Sequence, residues 1–214
     1  MKMLKSMMRT GQIGAMLAVS VSVWNCTDHA PDTANYKLND AVSVAEWKGY
    51  LKTGYFNEGS ITVKSESLVI RDGQVKSGSF TIPVSSILNF NLPTDELKHQ
   101  LVHHLQSPDF FNMALHPDVK FEISNVSPFS GTGENVVPGA NFQVTGNLTM
   151  LGKTNLIVFA AKIDLIGDDF KLEALAPIDR TKWGMNYATE SNLPDDASIK
   201  PVIDVHLKLS GKKL

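Results

Sequence analysis

The side chains in this sequence that are best suited to chemistry are three neighbouring histidines. His99 and His103 are four residues apart, so on a helix they would lie one turn apart and could share a metal ion. No carboxylate or cysteine at a matching spacing supplies a third ligand, so the pattern favours a solvated helix face without a metal. His104 is three residues from Leu101 and seven from Leu97, which predicts that it turns inward as a hydrogen-bonded core or cavity-rim histidine.

Two further motifs that would indicate catalysis are misplaced or absent. The run GNLTMLGKT at residues 146 to 154 has five residues between its first glycine and Gly152, whereas a phosphate-binding loop has four and is followed by a helix. A strand pattern follows here, so Gly152 and Lys153 are expected to form a hairpin turn. No G-x-S-x-G nucleophile elbow occurs. The sequence therefore predicts no catalytic residue and no cofactor, and the protein is not expected to be an enzyme.

The composition is that of a globular domain with little net charge. Of the 214 residues, 43% are hydrophobic and 20% are charged, and the formal net charge is −2. This length allows one domain with a full core. A nucleic-acid-binding protein needs a basic face, so no nucleic-acid partner is expected.

The first 25 residues have the pattern of a signal peptide. Lys2, Lys5 and Arg9 precede an uncharged stretch at residues 13 to 24, which has the length of a signal-peptide apolar region and is short for a bilayer span. Residues 1 to 25 are therefore predicted to direct export to the periplasm or the cell surface.

Cys26 is the single cysteine and directly follows this segment. A thiol at this position predicts acylation, which would make the protein a lipoprotein tethered to a membrane through Cys26. The alternative is ordinary secretory cleavage that discards or exposes the thiol. Residues 26 to 35 are mostly small and polar and are predicted to form a tether.

The chain after the tether is dominated by strand patterns. Apolar residues alternate with polar ones in segments such as residues 142 to 150 and 201 to 209, so each strand has one inward face. About eight or nine strands recur at hairpin spacing without βαβ alternation, which predicts an all-β sandwich or barrel. One helix is predicted after Thr94, a suitable N-cap. Its leucines Leu97, Leu101 and Leu105 form a stripe expected to face the body of the protein.

The connection that follows this helix is unusually apolar. Residues 103 to 123, here called the covering segment, place Phe110 and Phe111 between Pro108 and Pro117. Loops are normally polar and exposed. The covering segment is therefore predicted to lie over an apolar interior.

Several motifs together resemble the YceI-like family of exported bacterial proteins. They are GSFTI at residues 78 to 82, SPDFF at 107 to 111, VTGNLTMLG at 144 to 152 and DRTKWGM at 179 to 185. The resemblance runs from about residue 36 to residue 209. The segment EWKG at residues 46 to 49 departs from the family pattern.

The resemblance implies a fold and a ligand. The fold would be a lipocalin-like antiparallel β-barrel of about eight strands, spanning residues 36 to 214, with one short α-helix and a covering loop. Its interior would hold a polyisoprenoid, a quinone-like molecule or another long-chain lipid, and the protein would form a homodimer. The residues expected to contact the ligand are Trp47, Phe80, His104, Phe110, Phe111, Phe121, Phe142, Met150, Phe159, Phe170 and Trp183.

Three functions remain open from the sequence. A lipid carrier or store requires a cavity, with Phe110 and Phe111 closing one end. An enzyme acting on a lipid or amide requires a polar cluster inside that cavity, such as His104 beside a buried carboxylate. A stress-related surface protein would instead have a filled core. Asp179 and Arg180 fit either polar contacts at a cavity mouth or a surface ion pair, and the sequence favours the surface pair.

Overall fold

The computed structural model describes residues 32 to 214. The predicted signal peptide, Cys26 and most of the predicted tether lie outside these residues. Within them, no helix is long and apolar enough to cross a membrane.

The described residues form strands throughout, with one α-helix between the sixth and seventh of them. The strands are β1 (Thr33–Leu38), β2 (Val44–Tyr50), β3 (Phe56–Thr62), β4 (Lys64–Arg71), β5 (Gln74–Pro83), β6 (Leu88–Asn89), β7 (Asp118–Pro128), β8 (Phe142–Met150), β9 (Lys153–Ile166), β10 (Asp169–Leu175), β11 (Ile178–Asp179) and β12 (Val202–Lys213). The helix is α1 (Asp95–Gln106), and short 3₁₀ turns occur at Val84–Ser86 and Arg180–Trp183.

Eight of these strands close into an antiparallel barrel. The hydrogen-bonded order is β1-β4-β5-β7-β8-β9-β10-β12, and β12 pairs again with β1 through Tyr36 and Lys213. Closure removes the exposed sheet edges that an open sheet would leave. The predicted all-β barrel of about eight strands is confirmed.

One end of the barrel is extended by β2, β3 and β6. On β12, Gly211 pairs with Leu38 of β1 and Lys208 pairs with Val44 of β2, so β1 and β2 lie end to end along the same edge. The β2–β3 hairpin then continues the wall, and β6 pairs with β3. Gly59 permits this last pairing, because a Cβ there would lie 1.8 Å from the Leu88 carbonyl oxygen.

The boundary predicted for the tether is wrong at its end. Strand β1 begins at Thr33, which pairs with Arg71, and Asn35 pairs with Val69. Thr33 and Asn35 are polar and exposed, whereas Ala34, Tyr36 and Leu38 alternate with them on the inward face. The first inward residue is a small alanine, so the apolar alternation becomes evident in the sequence only from Tyr36.

Helix α1 lies beside the extended end of the barrel. The Thr94 hydroxyl accepts a hydrogen bond from the Leu97 amide at 3.3 Å, which confirms the predicted N-cap. Leu101 and Leu105 face the barrel interior. Leu97, in the first helical turn, does not, since it is 42% exposed, so the prediction that it faces the body of the protein is wrong.

Candidate ligand-binding cavity

The barrel encloses a cavity of about 260 Å³. Strands of the barrel, helix α1 and the covering segment all contribute to its wall, which is almost entirely apolar. The cavity reaches the surface beside Tyr55, which is 55% exposed. Its size is close to the lower end of ligand pockets, about 300 Å³, and its apolar wall with few polar groups is typical of them.

Seven of the eleven residues predicted to contact a ligand line this cavity. They are Trp47, Phe80, Phe110, Phe111, Phe121, Met150 and Phe159. Phe121 is central among them, since its ring stacks on Phe80 at 6.3 Å and tilts against Phe159 at 5.9 Å between centroids. The inward alternation of β5, β7, β8 and β9 brings these rings together.

The other four predicted residues are not part of the cavity wall. For Phe142, Phe170 and Trp183 the expectation that they line the cavity is wrong. Phe170 packs edge-on against Tyr36 at 6.5 Å, and Phe142 lines a separate pocket at the same end of the barrel. Trp183 lies in a 3₁₀ turn in a second core cluster, where its indole Nε1 donates to the Leu148 carbonyl oxygen at 2.9 Å.

His104, the fourth of these residues, lies at the rim. Its ring is edge-on to Phe110 and Tyr187, both 5.0 Å away, and Nε2 lies 3.1 Å from Asp109 Oδ2. Phe110 and Tyr187 are themselves 5.2 Å apart. The three rings therefore join α1, the covering segment and the loop after residue 184. The His104–Asp109 pair is partly exposed, so it does not form the buried pair that an enzyme in the cavity would need.

Arg180 is a cavity residue whose role the sequence did not indicate. The predicted surface ion pair with Asp179 is wrong, because Arg180 is only 1% exposed and Asp179 instead accepts from the Thr181 amide and hydroxyl. The Arg180 guanidinium donates to the carbonyl oxygens of Met185 at 2.7 Å and Tyr187 at 2.9 Å. Longer bonds of 3.4 Å reach two further carbonyls at residues 199 and 200. Burial lowers the pKa of this guanidinium.

Tyr50 lies on the cavity wall at the end of β2. Among the described residues, its hydroxyl is the acid whose pKa is strongly shifted. Burial is the largest of the causes that together raise the pKa of Tyr50 from 10.0 to about 12. The hydrogen bond that its hydroxyl donates to Asp204 Oδ2 at 2.8 Å contributes to this rise in pKa, and so do the charges of Asp204 and Glu58. The folded protein therefore holds this proton more tightly than the unfolded chain does.

The stability of the protein is expected to fall as the pH rises from 10 towards about 12. The contribution from neutral Tyr50 is fully present below pH 10 and is lost as the pH passes through the raised pKa. Urea unfolding across this range should show a shallower decline in Tyr50→Phe than in the wild type. Tyr55→Phe is the matched control, and an equal decline in all three proteins would contradict the assignment.

Metal ligands do not converge in the described part of the chain. Between residues 32 and 214, no group of three or more histidine, cysteine, aspartate or glutamate side chains is arranged to hold a metal ion. His99 and His103 lie on the helix without a third ligand.

Comparison with known proteins gives a consistent family match. The family model described as the YceI-like domain matches residues 36–210. A UPF0312 protein of Azotobacter vinelandii is 34% identical over 99 residues, which cover 43% of this chain and 47% of that protein. The alignment thus spans about half the length of this curated relative.

Two solved structures share the fold at low sequence identity. BcnA of Burkholderia cenocepacia matches with a TM-score of 0.60 and 17% identity, covering 81% of this chain and 98% of that one. A polyisoprenoid binding domain from Saccharophagus degradans, described as implicated in plant cell wall breakdown, matches with a TM-score of 0.55 and 13% identity, covering 84% and 98%. At identities this low, the structural match establishes a common architecture and nothing more.

Proposed function

The chain belongs to the YceI-like family, and from this premise we propose that it is an exported bacterial protein that holds a long-chain apolar ligand inside its barrel. A polyisoprenoid or a quinone-like molecule has the required chemistry. The ligand would be sequestered or carried between membranes, without chemical change.

The observation that carries this proposal is the apolar cavity that opens beside Tyr55. Burying an apolar chain supplies about 0.8 kcal/mol for each methylene. Ten buried methylenes would thus contribute about 8 kcal/mol, which corresponds to a Kd of about 1 μM before the costs of association. Affinity of this order needs no catalytic or charged group. The polyisoprenoid-binding neighbour uses the same architecture, which supports the ligand class.

The two other functions considered from the sequence receive less support. A filled core is at odds with the cavity of about 260 Å³. An enzyme would need its polar groups inside the cavity, and the His104–Asp109 pair lies at the rim, partly exposed. Lipid binding is therefore the function that the geometry favours.

Mass spectrometry of an organic extract from the purified, folded protein tests the proposal. We expect a long-chain lipid to co-purify with the wild type. Gly49→Phe is the matched control, because Gly49 lines the cavity and a Cβ there meets nothing within 4 Å, so the added ring would occupy ligand space. Absence of lipid from repeated wild-type preparations, and failure to take up added prenols, would refute the function.

We also propose that Cys26 is acylated and tethers the protein to a membrane facing the periplasm or the cell surface. Palmitate labelling of cells that express the full chain should mark the wild type and not Cys26→Ala. Label retained in Cys26→Ala would contradict the lipoprotein assignment. A homodimer is proposed on the family resemblance and is tested by analytical ultracentrifugation of the delipidated protein.

A further inference from the structure

Two buried polar atoms on cavity-lining residues have no hydrogen-bond partner among residues 32 to 214. They are Trp47 Nε1 and Asn57 Oδ1. Buried polar atoms in folded proteins are nearly always paired, and each exception calls for an explanation. We infer that these two atoms form a subsite for one hydroxyl group, so that the ligand is a long-chain alcohol. This inference rests on the proposed function and specifies its ligand.

The register of the β2–β3 hairpin places the two residues on the same face of the sheet. Trp47 pairs with Gly59 and Asn57 pairs with Gly49, so Trp47 and Asn57 are diagonal neighbours on the inward face. Such neighbours have Cα atoms about 7 to 8 Å apart, within reach of one small group held between their side chains.

Both cross-strand partners are glycines, which shapes the space between these side chains. The indole lies over Gly59, since its Cζ2 atom is 2.8 Å from the position of a Cβ there. At Gly49 a Cβ would meet nothing within 4 Å. The hairpin therefore packs the indole against Gly59 and leaves open space at Gly49, the residue opposite Asn57.

The chemistry of the two atoms selects the ligand group. An indole N–H only donates a hydrogen bond, and an amide oxygen only accepts one. A hydroxyl does both, so a single hydroxyl satisfies both atoms. An ether oxygen accepts without donating, and a hydrocarbon does neither. A carboxylate or phosphate would set its negative charge against the Asn57 oxygen.

Arg180 does not turn this end of the cavity into an anion site. It is the charged residue among the described cavity-lining side chains, and backbone carbonyls already accept from all three of its guanidinium nitrogens. Its cationic group also lies over the Phe110 ring, 5.9 Å from the centroid. The unpaired groups on the cavity wall are thus the neutral ones.

The position of the subsite orients the ligand. The hairpin that carries Trp47 and Asn57 turns near Tyr55, where the cavity reaches the surface. The stacked rings of Phe80 and Phe121 lie on β5 and β7, strands that do not pair with this hairpin. A bound alcohol would place its hydroxyl near the mouth and its chain against these rings.

Three probes with the same chain test the inference on the delipidated full-length protein: geranylgeraniol, its methyl ether and the corresponding hydrocarbon. Their Kd values are measured by displacement of a fluorescent apolar lipid. The wild type should bind the alcohol about tenfold more tightly than the hydrocarbon, as expected for two neutral hydrogen bonds. The ether, which can only accept from Trp47, should bind with an intermediate Kd. Trp47→Phe and Asn57→Leu should each reduce this preference to about twofold or less, with the alcohol compared with the hydrocarbon on the same variant.

Trp183→Phe is the matched control, because it removes an indole N–H that is already paired and lies outside the cavity. It should keep the tenfold preference of the wild type. Equal binding of alcohol and hydrocarbon by the wild type would overturn the hydroxyl subsite and leave the proposed function intact. Ether binding equal to that of the alcohol would overturn the role of Asn57. Failure of all three probes to bind would overturn the proposed function and the subsite with it.

Discussion

Replacing Arg180 with methionine is expected to lower the free energy of unfolding by about 4 kcal/mol. Each hydrogen bond to a charged group contributes about 1.5 to 3 kcal/mol, and the contributions of neighbouring bonds are only partly additive. The side chain is 1% exposed and donates to four carbonyl oxygens at residues 185, 187, 199 and 200. Methionine fills similar space without a donor. The four carbonyls, of which that of Met185 is fully buried, would then lose their shared partner.

Two opposing effects determine the size of this change. Burying a guanidinium without a carboxylate partner is costly, and the lowered pKa of Arg180 reflects that cost. An apolar replacement removes it. The carbonyls, however, are held in place by the loop that Arg180 organises, and unpaired buried carbonyls cost about 1 to 3 kcal/mol each. We therefore expect the loss of the hydrogen bonds to exceed the gain from removing the charge.

Thermal and urea unfolding measure the outcome, with Arg71→Met as the matched control because Arg71 is an exposed arginine at the end of β4. The Arg180→Met variant should melt about 10 °C below the wild type, and Arg71→Met should melt close to it. Arg180→Lys should resemble the methionine variant, because a single ammonium cannot reach four dispersed carbonyls. A melting temperature of Arg180→Met equal to that of the wild type would show that the loop does not depend on the guanidinium.

The sequence predicted the barrel because its local rules are strong. Alternation along β8 and β12 and the turn signals between strands indicate which residues face inward and predict a barrel of about eight strands. These patterns do not specify how far along the barrel axis each inward side chain lies. Phe121 and Phe170 both face inward by alternation, yet Phe121 lines the cavity and Phe170 packs against Tyr36 outside it. Depth depends on the stagger of strands that pair across long sequence separations.

Arg180 and Trp47 show why the polar part of the site could not be predicted. In the sequence, Arg180 stands beside Asp179, which suggests a surface ion pair. Its actual partners are carbonyls of a loop whose path has no periodic pattern. Trp47 was predicted as a cavity residue for its bulk, and its unpaired N–H becomes apparent only once the register with β3 is known. Alternation predicts which face a side chain occupies, while its hydrogen-bond partner depends on the complete fold.

The second large effect is expected in the covering segment. A variant with both Phe110 and Phe111 replaced by serine should release bound lipid at least about tenfold faster than the wild type. The reason is that each ring contributes more than about one kcal/mol of apolar contact, which the variant loses. Both side chains line the cavity. Phe110 also packs against His104 and Tyr187, so its removal separates the three rings that join the cover to the loop opposite.

Transfer of a fluorescent lipid from the protein to acceptor vesicles measures this release, and far-ultraviolet circular dichroism measures the strand content. The barrel strands pair independently of the two rings, so the spectrum should change little while transfer accelerates. Leu115→Ser is the matched control, since Leu115 lies in the same segment and is 72% exposed. Unchanged transfer combined with a lower melting temperature would mean that Phe110 and Phe111 are ordinary core residues. Accelerated transfer would instead identify the covering segment as the barrier that retains the ligand.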